Sequence, residues 1–140
     1  MAISLSSVKN FFAIPAGLVF GSLVNMGVLS VGTKLIPPPV GADTMSMEGL
    51  KATMHLFQPV HFLSPLMAHA LGTLTGAWLA VIMSGVRSMR NAWIIGGFFL
   101  VGGVINIAML PSPVWFSTTD LIVAYLPMAW LGGRAAGWKA

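Results

Sequence analysis

The sequence predicts an all-α integral membrane protein: a four-helix transmembrane bundle with a short extracytoplasmic amphipathic helix between spans 1 and 2. Three observations predict it. Charged residues make up only 7% of the 140 residues, where a water-soluble domain carries about 25%. Mean hydropathy is +0.88, which excludes both a soluble globule and a disordered chain. The few charges also stand far apart. Asn10 to Thr33 is 24 residues without one, Ala52 to Val86 is 35, Asn91 to Thr119 is 29 and Leu121 to Gly133 is 13. A helix needs about 20 apolar residues to cross the hydrocarbon core.

These runs place spans at 11–35, 61–84, 91–110 and 114–134 within a single transmembrane domain, residues 1–140. The first is entered from Lys9, with Pro15 in its first turn, where the missing N–H costs little, and it stops at Pro37-Pro38-Pro39. Its apolar run is too long for a signal-peptide core and no A-x-A site follows, so it is read as a retained helix. The second span starts after Pro59 and ends near Gly85; the third stops at Pro111-Ser112-Pro113. The fourth contains Pro127 and is expected to kink there.

Orientation follows from the basic residues. With the N-terminus in the cytoplasm, Lys9, Arg87, Arg90, Arg134 and Lys139 lie inside, and only Lys34 and Lys51 lie outside. The reading is therefore N-in/C-in. The net charge of +4 is topology-setting loop charge with no basic patch, so no nucleic-acid partner is expected. The loop 37–60 is then outside. Within it Met47, Leu50, Met54 and Phe57 share one helical face. Residues 44–57 are expected to form a short amphipathic helix on the membrane surface, with Asp43 as its cap.

Helices in lipid associate through small residues and a few hydrogen bonds. Gly17 and Gly21 make a GxxxG on the first span, Gly72 and Gly76 another on the second, and Gly96 and Gly103 share a face of the third. These are the expected packing positions. Four polar residues stand out beside them: Asn25, His69, Asn106 and Asp120. At 1.5 Å rise per residue all four fall in the outer half of the membrane. Asp120 is the only acid within a span, and three readings of it stay open. It is an exposed residue near the positive end of a helix dipole, a hydrogen-bond partner of His69 or Asn106, or part of a ligand, ion or proton site opening outward.

A metal is the first chemistry to weigh. Met45, Met47 and Met54 with His55 and His61 form an outer cluster of thioethers and imidazoles, donors that suit Cu(I). Met47 and Met54 are equally the natural apolar anchors of a surface helix. His61 and His69 lie about 80° apart on a helix, too far round to pinch one metal. Haem on His69 would lack a second axial ligand. No cofactor is therefore predicted. Ser64, His69 and Asp120 supply the residue types of a hydrolytic triad, but Ser64 and His69 sit about 140° apart on one helix. No G-x-S-x-G or H-E-x-x-H motif is present. Cysteine is absent, which removes thiolate chemistry and disulfides.

The stretches Ile36-Pro37-Pro38-Pro39, Met54-His55-Leu56-Phe57, Ala68-His69-Ala70-Leu71-Gly72-Thr73-Leu74, Met109-Leu110-Pro111-Ser112-Pro113 with Trp115-Phe116 and Asp120, and Tyr125 with Pro127-Met128-Ala129-Trp130-Leu131-Gly132-Gly133 run along nearly the whole chain. In these the sequence resembles a family of small bacterial four-span membrane proteins. The resemblance implies four spans and a bacterial inner membrane; it carries no activity and no functional residues. The expected function is non-enzymatic. It is that of an accessory or assembly subunit of a larger membrane complex, or of a homo-oligomer, with the lipid bilayer and other membrane subunits as partners. The alternative is a small transporter or a ligand-, ion- or metal-binding membrane protein built on Asn25, His69, Asn106 and Asp120.

Overall fold

The computed structural model describes residues 5–138, and among these there is no strand. Helix α1 runs Leu5–Leu35, α2 Met47–Thr53, α3 Leu63–Met83, α4 Met89–Met109, α5 Val114–Val123 and α6 Leu126–Ala135. Short 3₁₀ turns at Met54–Leu56 and Pro59–Phe62 lead from α2 into α3. Four helical stretches are long and apolar enough to cross a membrane: Ser7–Leu35, Pro59–Met83, Met89–Met109 and Val114–Ala135. The first begins earlier than the apolar run suggests. Pro15 therefore lies in the helix interior, where its ring nitrogen leaves the Phe11 carbonyl without the usual donor.

The fourth stretch departs from a simple kink. It is two helices, with the break at Ala124 and Tyr125 and not at Pro127 itself. The cause is Pro127, at the start of α6. It has no N–H for the Val123 carbonyl and its ring crowds that carbonyl, so α5 ends at Val123. Tyr125 takes φ −114°, ψ −81° between the two helices. The connection between α1 and α3 also differs from expectation. Its helix covers only Met47–Thr53, and its cap is Ser46, whose Oγ accepts from the Gly49 N–H at 2.9 Å. Asp43 instead accepts from the Met45 N–H at 2.9 Å.

The helices form an antiparallel bundle in which α3 is central, packed on α1, α4 and α6. Its interior inverts that of a soluble protein. The core is alanine and glycine with a few larger side chains: Ala77, Ala80, Val81, Ala92, Ile95 and Ala129 pack together. Phe12, Leu23, Met26, Phe98, Val101 and Ile122 point outward and are exposed. Soluble proteins bury such residues. Small-inside, large-outside is how helices pack where the solvent is itself apolar.

The most extensive contact joins α1 to α3. A Cβ placed on Gly17 would lie 2.6 Å from the Gly76 carbonyl oxygen, and one on Gly21 2.5 Å from that of Gly72. Gly96 meets the Ala129 Cβ at 2.6 Å in the same sense, bringing α4 against α6. Gly27, Gly97 and Gly102 by contrast have open space around them. The end of the bundle opposite the α1–α3 connection carries Lys9, Arg87, Arg90 and Arg134. There Asn91 donates to Asn10 at 3.1 Å, joining α4 to α1. Polar pairing between helices is thus not confined to the half expected from the sequence.

Backbone cannot yield to a Cβ at these distances, so Gly21→Val is expected to lower stability by about 1–3 kcal/mol, the cost of overpacking. Gly97→Val, facing open space, is expected to change it by less than about 0.5 kcal/mol. Thermal unfolding of the two variants in the same detergent checks the difference.

Candidate functional site

Asp120 is the seventh residue of α5 and is 2% exposed. An ionised carboxylate at the centre of a membrane helix costs about 2.5–3.5 kcal/mol on insertion scales. Here both its oxygens are engaged. His69 Nδ1, from α3, lies 2.9 Å from Oδ1 and 3.0 Å from Oδ2. The Tyr125 hydroxyl donates to Oδ2 at 2.8 Å. The Tyr125 oxygen is also 3.2 Å from His69 Nδ1, and the two rings stack at 5.9 Å with 28° between their planes.

Each partner is held by a local feature of the sequence. The backbone break ahead of Pro127 turns Tyr125 back toward Asp120. Its ring occupies space that only glycine leaves on α4, for a Cβ on Gly103 would fall 2.5 Å from the hydroxyl oxygen. The His69 carbonyl is tied into α3 and accepts from Thr73 Oγ1 at 2.8 Å. With a carboxylate on Nδ1, that nitrogen carries the proton and donates. Nε2 is then left without a partner among the described residues.

His69 lines a cavity of about 700 Å³ bounded by α1, the α1–α3 connection, α3, α4 and α5. That volume lies within the about 300–1,000 Å³ of small-molecule sites. Asn106 of α4 lines the same space, and its side chain makes no hydrogen bond within the described residues. Leu50, Met54 and Phe57 also line it. Three of the four residues of the apolar face expected in this connection thus roof the cavity, while the fourth, Met47, is exposed. Asp120 stands behind His69 and reaches the cavity only through that ring. Asn25 does not line it. Its Cβ and Cα pack on Gly72 at the α1–α3 contact, away from the other three.

The remaining candidates scatter. Met45 is 93% exposed, and Met47 and His55 are also exposed. His55 Nδ1 faces the Ala52 carbonyl near the end of α2, 3.0 Å away. His61 Nδ1 accepts from the Gln58 N–H at 2.9 Å. Met54 and His61 alone of this set reach the cavity. Among the described residues no three His, Asp or Glu side chains are gathered so as to hold a metal ion. Ser64 Oγ is buried with no hydrogen-bond partner, so it is not linked to His69 as a triad serine would be. Tyr125 is the residue that spacing missed. It is the one tyrosine of the chain, and its position just ahead of Pro127 was the available signal.

Compared with known protein families, with functionally characterised proteins and with solved structures, the chain matches none.

The His69–Asp120 pair is expected to behave as one unit. His69→Ala and Asp120→Asn should each destabilise the fold, but the double variant by less than their sum. The difference should be about 0.6–2 kcal/mol, the range of interhelical hydrogen bonds in membranes. Tyr125→Phe removes one donor to Asp120 and is expected to cost about 0.6–1.7 kcal/mol. Unfolding of the variants in mixed micelles checks both.

Proposed function

We propose that this chain is a multi-pass protein of a bacterial inner membrane, N-in/C-in, that binds a small molecule in the cavity lined by His69 and Asn106. The observation that carries the reading is the His69–Asp120–Tyr125 cluster. Burying a carboxylate between helices is costly, and packing does not require it. Here it orients an imidazole whose second nitrogen is left for whatever fills the adjoining cavity, as outer carboxylates do for functional histidines. Lys9, Arg87, Arg90 and Arg134 at the far end support a cytoplasmic placement of that end. Lys139, counted with them from the sequence, lies outside the described residues. The cavity then opens in the outer half of the bilayer, and the polar residues do not continue as a path to the inner face, which favours binding over conduction.

A second reading, helix association with another subunit or a second copy, is favoured by a different observation. The expected packing glycines are spent inside the chain, whereas Gly97 and Gly102 lie on the outer surface of α4 with nothing within 4 Å. Small residues of this kind let another helix approach closely.

Native mass spectrometry after gentle extraction separates the two. Under the binding reading the chain retains a small-molecule adduct that is lost in His69→Ala while the variant stays folded and monodisperse. Co-release with other polypeptides, or a closed homo-oligomer without an adduct, supports the second reading and overturns the first. Orientation has its own check, because the chain has no cysteine. Met45→Cys is expected to react with a membrane-impermeant maleimide in intact cells, and Val86→Cys only after permeabilisation. The reverse pattern inverts the topology.

A further inference from the structure

The walls of the cavity define the kind of molecule it takes. Resting on the binding reading above, we propose that the occupant is an uncharged, flat ring carrying oxygen, the chemistry of a quinone head group.

Charge is the first constraint. No Lys, Arg, Asp or Glu lines the cavity, and Asp120 is already committed to His69 and Tyr125. A phosphate, carboxylate or ammonium would be desolvated there without a counter-charge, at a cost of several kcal/mol. Shape is the second. One wall is aromatic: Phe62 packs on Phe116 with ring centroids 4.8 Å apart, and on Phe57 at 6.2 Å. The rings are tilted 42° and 58° to one another and all three line the cavity, an aromatic wall that a planar ring can meet by face or edge.

Hydrogen bonding is the third. Ser30 and Thr33 also line the space, but each spends its hydroxyl proton on a backbone carbonyl, at 2.7 and 3.2 Å. Among the lining side chains Asn106 of α4 is half-buried and makes no hydrogen bond within the described residues, and Thr44 makes none either but stands exposed on the connection. Ser64 is only 6% exposed, and its Oγ has no partner. It is packed against Gly32 of α1 with almost no accessible surface, so Ser64 borders the cavity without offering its oxygen to an occupant. Asn106 can donate and accept, and His69, whose Nε2 has no partner among the described residues, lines the same cavity. Together they can meet a carbonyl oxygen or the hydroxyl of its reduced form.

The test uses the full chain in detergent micelles, washed until its native mass spectrum carries no adduct. Equilibrium dialysis then compares menadione with a naphthoquinone sulfonate and with methylnaphthalene. These keep the ring system and change the charge or remove the oxygens. Menadione is expected to bind saturably at about one per chain, with the other two at least tenfold weaker. Asn106→Leu should weaken menadione binding about tenfold and Phe57→Ala, which removes part of the aromatic wall, several-fold. The outward-facing Val19→Ala, a control for partition into the micelle, should leave it unchanged. Equal binding of the sulfonate or of methylnaphthalene overturns the proposal, as does menadione binding insensitive to both cavity variants. If menadione does not bind, a His69-dependent adduct from the source membrane leaves the binding site standing and removes only the quinone class. If the wild-type chain carries no such adduct either, both are removed.

Discussion

The close approach of α1 to α3 is the constraint on which the rest of the molecule depends. Gly17 and Gly21 lie against the backbone of Gly76 and Gly72, so the two helices meet without side chains between them. In an apolar solvent this contact area is what association has to draw on, because lipid tails are as apolar as leucine. The approach brings Gly32 against Ser64, and α1 thereby closes one side of the cavity while α3 carries His69 on its lining. Wider separation would leave the space open to lipid and the imidazole without a defined wall.

The second constraint is the broken fourth span. A continuous helix would repeat residues 120 and 125 about 140° apart, which turns the two side chains away from each other. The interruption imposed by Pro127 folds Tyr125 back so that its hydroxyl reaches the Asp120 carboxylate at 2.8 Å. Gly103 on the neighbouring helix makes room for the ring. A proline and a glycine, neither of which touches the carboxylate, thus complete the arrangement that makes a buried acid tolerable. This is how irregular backbone within a span is accommodated: the groups it frees are satisfied by neighbouring helices or face a cavity.

The connection between α1 and α3 links the site to the exterior of the bundle. Most of its apolar face turns in, so Leu50, Met54 and Phe57 are both the underside of a surface segment and the roof of the cavity. A periodicity of apolar residues reports that a face is buried, not what it is buried against. The surroundings and the protein interior are equally available to such a face, and only the path of the chain between them decides which it covers.

What the sequence by itself determined is the set of four stretches long and apolar enough to cross a membrane and the paired glycines on three of them. Apolar runs of about 20 residues are dictated by the bilayer's thickness, and glycines at i, i+4 lie on one helix face whatever surrounds them. It also singled out Asp120 and His69, since an ionisable group within a span is costly wherever it points. Tertiary structure alone decided which polar residues meet. His69 and Asp120 are 51 positions apart, and their contact depends on the relative rotation of α3 and α5, a quantity no local pattern encodes. The same rotation excludes Asn25, placed at a helix–helix contact in place of the cavity. It also recruits Tyr125, whose direction depends on where the helix breaks. Periodicity fixes a side chain's angle about its own helix axis; the angle at which that helix stands to its neighbours is set by the packing of all of them together.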